Sequence, residues 1–343
     1  MTSRKYLIAS VAAALALVAG LLGLVWPRGT HAPAIEPAPP LVADDAQNAG
    51  LLEAQAEELE DVERAVSMWN RALALRDKLG DPSKRAANRL GLATTLFAAG
   101  RSDDARQSLV ASMKVLDAAA LTASTAPIAF YTLTMLARIE NDSKRWADAE
   151  GHARRAIALA ERPLAPQLPH ESDYSDLGAA LLGKGDRPAA EAAFAKAIEF
   201  AGVDPHTVAN THMMIALAYH AQHDEKHAIE HAERAADVAA EQDLTEKLEF
   251  ELTLCKILLA DGQRARTLPI AEKLVPRLED DRRADPIAVG DARFALARAL
   301  PDTERARARR LAEDAKATLA KRGAIGTTHA ADIDAWLAVE ASR

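Results

Sequence analysis

Histidine is the residue type whose spacing in this sequence could do chemistry. Six of the ten histidines lie in the 26 residues from His206 to His231. His223, His227 and His231 follow one another at intervals of four, which on a helix places them in one stripe. Imidazoles at positions i and i+4 can bind zinc, copper or nickel together. His220 ends the preceding helical pattern and would face this stripe.

A histidine stripe of this kind has two interpretations. The stripe lies among Asp224, Glu225 and Glu230, and spacing alone does not supply the second shell that metal sites need. We therefore predict solvated imidazoles that titrate as exposed histidines do, at roughly pH 6.5. Under the alternative hypothesis, a metal site, the candidate ligands are His220, His223, His227 and His231.

Other reactive residue types form no catalytic pattern. Cys255 is the only cysteine, and its place in the repeat described below predicts a packed thiol rather than a nucleophile. Residues 183–186 (Gly-Lys-Gly-Asp) lack the upstream glycine and the Ser/Thr of a phosphate-binding loop. The basic residues between Arg305 and Arg322 are mixed with Glu304, Glu313 and Asp314, which favours a solvated helix face over an anion site. We predict a non-enzymatic protein with no catalytic residues and no cofactor.

The strongest pattern in the sequence is a sevenfold repeat of small and apolar residues. Each copy starts with Ala, or once with Thr, and continues with small or apolar residues four and seven positions later. The starts are 38 to 44 residues apart. A period of this size predicts stacked helical hairpins. The starts are Ala65, Ala105, Ala149, Ala190, Ala228, Thr267 and Ala308.

A second pattern lies twelve or thirteen residues upstream of six of these starts. There a large apolar residue precedes a small one, as in Leu136-Ala137 and Leu254-Cys255, and a further apolar residue follows three positions later. Glu140 alone breaks the apolar rule at that last position. A turn is then predicted in five units, at Gly100, Lys144, Gly185, His223 and Gly262.

These two patterns together resemble the tetratricopeptide repeat over about residues 45–325. The period is nearer 40 residues than the family's usual 34, and the first-helix Trp of the family is mostly missing. The protein is thus similar to the long-period, kinesin-light-chain-like branch. It also resembles the repeat regions that follow a membrane span in bacterial serine/threonine kinases. The resemblance implies an all-α fold, a right-handed α-solenoid of about six to seven helical hairpins plus a closing helix.

The family resemblance also implies a binding surface. In the family, the first helices of successive hairpins line a concave groove that takes an extended peptide or a helix. The Lys/Asn arrangement of chaperone-binding members is not recognisable here, which disfavours a chaperone adaptor. We expect Arg138, Asn141 and Lys256 to serve no packing need, so that alanine there would leave stability nearly unchanged. The groove residues implied are Tyr131, Arg138, Asn141, Asn210, His220, Glu249, Lys256, Asp291 and Arg298.

Composition agrees with a helical protein. Hydrophobic residues make up 49% of the sequence but aromatic residues only 4%, so the apolar content is largely Ala and Leu, which favour helices. Asp204-Pro205 and Asp285-Pro286 each place an N-capping acid before a proline, which predicts two helix starts. The net charge of −8 argues against nucleic acid as a partner.

The N-terminal segment differs from the rest of the sequence. Residues 6–26 form a 21-residue apolar run without a charge, and about 20 such residues span a bilayer. Arg4 and Lys5 precede the run, which favours a cytoplasmic N-terminus. The alternative is a cleaved secretory signal with a site near residues 32–34, but its apolar core is usually shorter. We predict an uncleaved transmembrane signal-anchor helix.

The predicted organisation follows from these segments. A cytoplasmic N-terminus (1–5) precedes the transmembrane helix (6–26), a Pro-rich linker (27–42), the repeat solenoid (43–325) and a C-terminal capping helix (326–343). The protein would lie in the bacterial inner membrane with its repeats facing the periplasm. The alternative is a protein secreted after signal cleavage.

Two functions fit this organisation. The first is a membrane-anchored scaffold that binds a protein or peptide partner through the concave groove. The alternative is a ligand- or metal-responsive sensor module of a bacterial signalling system, based on the His-rich repeat at residues 206–231.

The N-terminal anchor gives a first testable prediction. N-terminal sequencing of the mature protein should find it uncleaved, because the apolar run has the length of a span rather than of a signal core. A mature terminus at or after Ile35 would disprove the anchor. A reporter that works only outside the cytoplasm should be active when it is fused after Arg343. Activity of a reporter that works only in the cytoplasm, fused at the same place, would disprove the orientation.

Overall fold

The described part of the protein is built from helices alone. The computed structural model describes residues 45–59, 61–162, 171–244, 246–281 and 284–341, and no strand occurs in them. The predicted span (6–26) and linker (27–42) lie outside the described residues. Among the helices that the structure describes, none has the length and apolarity that crossing a bilayer requires.

The protein divides into two compact units at Gly185. The first unit contains α1 (Asp45–Glu58), α2 (Val62–Leu79), α3 (Pro82–Ala98), α4 (Ser102–Asp117), α5 (Ala126–Asp142), α6 (Trp146–Ala160) and α7 (Glu171–Gly183). The second contains α8 (Arg187–Ala201), α9 (Pro205–Ala221), α10 (Glu225–Glu241), α11 (Lys247–Ala260), α12 (Arg264–Asp280), α13 (Pro286–Ala299), α14 (Arg305–Leu319) and α15 (Gly323–Ala341), with short 3-10 turns at Asp302–Glu304 and Ala320–Arg322.

Each unit is a stack of helical hairpins. In the first unit α1 packs on α2, α3 on α4 and α5 on α6, and in the second α9 packs on α10, α11 on α12 and α13 on α14. The first helices of neighbouring hairpins also touch: α3 contacts α5, and α11 contacts α13. Helix α15 packs against α14 and α13 and closes the last hairpin. This is the all-α repeat stack that the sequence predicted.

The repeated small residues lie where helices meet. The start position of the repeat is fully buried in six units and 5% exposed in the seventh. The apolar residues between them form the core of each unit, in which Phe97 and Phe130 of the first and Phe250 of the second are almost completely buried. Side chains this small let two helix backbones approach closely while larger ones fill the gaps between hairpins.

The five predicted turn residues all adopt the left-handed backbone conformation. Gly100, Gly185 and Gly262 have φ of 87°, 83° and 72°, and Lys144 and His223 both have φ of 59°. Glycine takes this conformation without a steric penalty, whereas a side chain is tolerated there at some cost. The turn positions predicted from spacing are therefore confirmed, including the two that are not glycine.

The two predicted Asp-Pro helix starts are confirmed as capping motifs. The side chain of Asp204 accepts a hydrogen bond from the backbone N–H of Thr207 at the start of α9. Asp285 accepts one from the backbone N–H of Ile287 at the start of α13. The first N–H groups of a helix have no partner within the helix. The caps at Asp204 and Asp285 satisfy some of these groups and thereby fix where α9 and α13 begin.

Close helix contact gives a second prediction, at Gly91 of α3. A Cβ atom at this glycine would lie 2.3 Å from the Trp69 ring of α2, which is 3% exposed. Gly91→Ala should therefore lower the free energy of unfolding by about 1–3 kcal/mol through overpacking. The matched control is Gly151→Ala on the exposed face of α6, where nothing lies within 4 Å of the added Cβ. The control should raise stability by about 0.5–1 kcal/mol, and equal effects in urea titrations would contradict the assignment.

Candidate functional site

The nine predicted groove residues all lie on first helices of hairpins. Three are in α5 of the first unit, and six are in α9, α11 and α13 of the second unit. Whether they contact a partner remains a prediction, but the structure shows what each one touches. The two units are described in turn.

In the first unit, Arg138 and Asn141 are buried structural residues. The Arg138 guanidinium donates to both carboxylate oxygens of Asp176 in α7, at 2.5 and 3.0 Å. Asn141 donates to the Asp176 backbone carbonyl at 2.9 Å. Arg138 is 6% and Asn141 8% exposed. The expectation that these two polar side chains serve no packing need is therefore wrong, because they join α5 to α7 in the core.

A second buried carboxyl group lies beside this ion pair. Asp173 of α7 is completely buried and accepts a hydrogen bond from the Thr134 hydroxyl at 2.6 Å, while its other oxygen has no partner in the described residues. Burial raises the pKa of Asp173 well above its usual range. The groove residue Tyr131 is half-buried nearby. Burial is the larger cause that raises the pKa of Tyr131, and the negative charge of Asp173 is the next. Tyr131 is thus the one predicted groove residue of this unit that is not buried.

The exception in the apolar repeat pattern is explained by two partners. Glu140 is completely buried, and its carboxylate accepts from Arg106 Nε at 3.1 Å and lies 2.7 Å from His152 Nδ1. These partners come from α4 and α6, on either side of α5. A buried charge is tolerated when it is paired and hydrogen-bonded. The break in the repeat was the sequence signal for this cluster, although spacing could not name its partners.

In the second unit, polar side chains of successive first helices form pairs. Lys256 of α11 donates to Asp291 of α13 at 2.6 Å, and His329 Nδ1 of α15 lies 3.2 Å from the same carboxylate. Burial would raise the pKa of Asp291, but the hydrogen bond from His329 and the charge of Lys256 outweigh it and lower the pKa. Lys256 thus connects two repeats, although its side chain remains 34% exposed.

The first two hairpins of the second unit are linked through His206. Its Nε2 lies 3.0 Å from the Glu246 carboxylate, and its Nδ1 lies 3.0 Å from Asn210 Nδ2. One side-chain oxygen of Asn210 and one of Glu246 are buried without a hydrogen-bond partner in the described residues. His220, a further groove residue, lies with its Nδ1 2.7 Å from a Glu225 oxygen. Glu249 is half-buried on α11.

Arg298 differs from the other charged groove residues. Its guanidinium lies over the Phe294 ring, 5.8 Å from the centroid. It makes no hydrogen bond or ion pair with any residue that the structure describes. Burial lowers its pKa, an effect that the charge of Asp332 partly offsets.

The histidines of the stripe have different hydrogen-bonding surroundings, although His227 and His231 both stack on the Tyr219 ring. His223 is exposed at the turn, while His227 Nδ1 lies 2.7 Å from Asp224 and its ring stacks on Tyr219. His231 Nδ1 lies 2.9 Å from His212 Nδ1. In the described residues, no group of three or more His, Cys, Asp or Glu side chains could hold a metal ion.

The His212–His231 pair corrects one expectation. Burial lowers the pKa of both residues to about 4. The charge of His231 adds to the effect on His212, and the charge of His227 adds to the effect on His231. The expected titration near pH 6.5 is therefore wrong for His231. In a neutral pair one Nδ1–H donates to the other Nδ1, so this contact is a hydrogen bond that joins α9 to α10.

The single cysteine is a packed thiol, as the repeat position predicted. Cys255 is completely buried in α11. Burial, with a smaller contribution from Glu251, raises its pKa to about 12. The thiolate that acts as a nucleophile is therefore strongly disfavoured at this position.

A third prediction concerns the buried ion pair of the first unit. Arg138→Ala should lower the free energy of unfolding by about 3–5 kcal/mol, because it leaves the Asp176 carboxylate buried without its partner. The control is Arg155→Ala, which removes a 2.8 Å pair with Asp117 whose side chains are at least half exposed. That change should cost at most about 1 kcal/mol. Similar losses for both variants in denaturant titrations would refute the structural role of Arg138.

A fourth prediction concerns the histidine pair of the second unit. Between about pH 6.5 and 4 the unfolded protein binds protons at His212 and His231 that the folded protein does not, so stability falls as the pH is lowered through this window. The double variant His212→Asn/His231→Asn should lose part of this pH dependence. His223→Asn, at an exposed turn position, should retain it. Parallel stability curves for the parent and the double variant would contradict the assignment.

The comparisons with known proteins identify the fold. No family model and no curated protein matches the sequence. Among solved structures, a Rap protein in complex with competence and sporulation factor has a TM-score of 0.55 at 14% identity, over 88% of this protein and 90% of that one. A tetratricopeptide repeat protein from Parabacteroides merdae has a TM-score of 0.53 at 14% identity, over 86% and 99%. The apo form of RapI has a TM-score of 0.51 at 15% identity, over 81% and 82%.

Identities this low inform about the fold alone. The helical hairpins, the buried small residues and the left-handed turns agree with these structures and with the sequence pattern. This protein has the tetratricopeptide-like repeat fold.

Proposed function

We propose that this protein is a non-enzymatic interaction scaffold that binds a segment of a partner protein on the first-helix surface of its second unit. The observation that supports it is unused hydrogen-bonding capacity on that surface. Asn210 and Glu246 each have a buried oxygen without a hydrogen-bond partner in the described residues. Buried polar groups are normally paired, so unpaired ones on one surface are suited to the backbone and side chains of a bound segment.

The fold supports this proposal further. Repeat stacks present long surfaces that bind other proteins. The Rap protein of similar fold was crystallised with competence and sporulation factor bound. The net charge of −8 favours a protein partner over nucleic acid. The catalytic alternative has no comparable support, since the one thiol is buried and protonated.

Membrane attachment is a separate part of the proposal. It is based on the apolar run at residues 6–26 alone, with the repeats placed in the periplasm. The terminal sequencing and reporter experiment given above tests it. Its failure would leave the proposed binding surface unaffected.

A fifth prediction tests the binding surface. A peptide selected from a random display library on the full-length protein should bind the double variant Asn210→Ala/Lys256→Ala at least about tenfold more weakly, as truncation of central contacts does. Both side chains are half-buried on first helices. The control is Lys196→Ala/Arg309→Ala, which changes two second-helix side chains that are 52% and 55% exposed.

The outcome distinguishes two surfaces of the same unit. Unchanged affinity of the control supports the first-helix surface, provided that both double variants retain the circular dichroism spectrum of the parent. If the first-helix variant binds the peptide as tightly as the parent while the control loses affinity, the proposed surface is wrong and the second helices carry the site.

A further inference from the structure

Three first helices carry a cation directly after their paired large and small residues. These are Arg138 in α5, Lys256 in α11 and Arg298 in α13. Arg138 pairs with Asp176 of the next first helix of its unit, and Lys256 pairs with Asp291 in the same way. Arg298 occupies the equivalent position but forms no ion pair or hydrogen bond with the described residues, and Asp332 of α15 acts on it only through its charge. The cation at this repeat position is thus directly paired in α5 and α11 but not in α13.

Arg298 lines a cavity of about 250 Å³ within the second unit. The cavity lies between the turn that follows α11, the end of α13, the start of α14 and the final helix α15. Leu300 and Ala308 form part of its apolar wall, and Trp336 of α15 lies on another side. The Trp336 ring packs edge-on against Phe294, the ring over which Arg298 lies.

The other charges that line the cavity are already paired. Arg264 lies 3.2 Å from Asp302, and Arg305 lies 3.4 Å from Glu340. These two pairs leave the guanidinium of Arg298 as the surplus charge of the lining. The residues that line the cavity therefore carry one surplus positive charge, which Asp332, outside the lining, partly offsets.

A second donor is also unused. The indole N–H of Trp336 makes no hydrogen bond with the described residues, although the ring packs against Phe294. An indole N–H can only donate, and a guanidinium offers five donors and no acceptor. The two side chains together offer only donors, which suits an acceptor with negative charge and more than one oxygen.

We propose that this cavity binds one carboxylate group, held by the Arg298 guanidinium and bordered by the Trp336 ring. A planar guanidinium and a carboxylate form two parallel hydrogen bonds, and a single carboxylate balances the single surplus charge. The cavity is smaller than the roughly 300–1,000 Å³ of ordinary small-molecule pockets, so the occupant is a small acid or the end of a polypeptide. Arg298 also lies on a first helix, but the site and its test do not depend on the peptide-binding surface proposed above.

Calorimetric titration of the full-length protein with N-acetyl-leucine tests the proposal, with N-acetyl-leucinamide as the uncharged control probe. The acid should bind, and the amide should bind at least about tenfold more weakly because it cannot balance the guanidinium charge. Arg298→Gln should weaken acid binding by a similar factor and remove the preference for the acid. Arg309→Gln, which removes an exposed arginine of α14 paired with Glu313, should bind both probes as the parent does.

Two further arms identify the source of the carboxylate. If acetate binds as tightly as N-acetyl-leucine, the natural occupant is a small acid. If N-acetyl-Gly-Gly-Leu binds more tightly than acetate and N-acetyl-leucine, the occupant is the C-terminal carboxylate of a polypeptide. Each of these two results supports the site. No heat of binding at about 10 mM of any acid, with a protein that is folded by circular dichroism, overturns the proposal, because affinities weaker than millimolar carry little binding free energy. The proposal is also overturned if Arg298→Gln binds the acid with unchanged affinity. Arg298→Lys serves as a second folded variant, because it keeps the positive charge and loses the planar guanidinium.

Discussion

Close contact between helices at small side chains is the constraint on which the rest of the structure depends. The start position of the repeat is a fully buried Ala in five of the seven units, where a larger side chain would have to displace its neighbours. Where a glycine takes a similar role, as Gly91 does against Trp69, a single added Cβ would overlap the ring. Because interiors are packed as densely as organic crystals, each hairpin has one geometry, and the next hairpin must fit onto it. Polar first-helix residues one repeat apart are therefore brought within hydrogen-bonding distance.

That geometry divides polar residues into two classes that look alike in the sequence. Residues such as Arg138 and Glu140 are enclosed by neighbouring helices and paired at once with charges from other repeats. Residues such as Lys256 are paired but remain partly accessible. The buried class fixes how repeats fit together, since an unpaired charge in the core would be costly. The accessible class keeps part of its surface exposed, as the proposed binding surface requires.

The repeat positions, turns and helix starts were predictable because each depends on local chemistry. A hairpin turn needs a left-handed residue, a cap needs an acid next to the first free N–H groups, and a helix contact needs a small side chain, so spacing alone located Gly100, Asp204 and Ala190. The environment of a polar side chain was not predictable in this way. Arg138 was expected at the surface, yet its burial depends on Asp176, 38 positions later, and only the packing of α5 on α7 brings them together. The pKa of His231 likewise depends on burial and on its neighbours in space, and its contact with His212 follows from no i, i+4 rule.

Arg138 and Arg298 occupy the same repeat position in two different surroundings, one that pairs the cation and one in which we propose that it binds a ligand. Both follow a Leu-Ala pair on a first helix. In the first unit Asp176 meets the guanidinium and completes the pair. In the second unit Asp332 influences Arg298 only through its charge. A carboxylate that binds Arg298 only in the folded state, as proposed, would stabilise the second unit by mass action. Ligand binding at the last repeat and folding of the second unit would then be coupled.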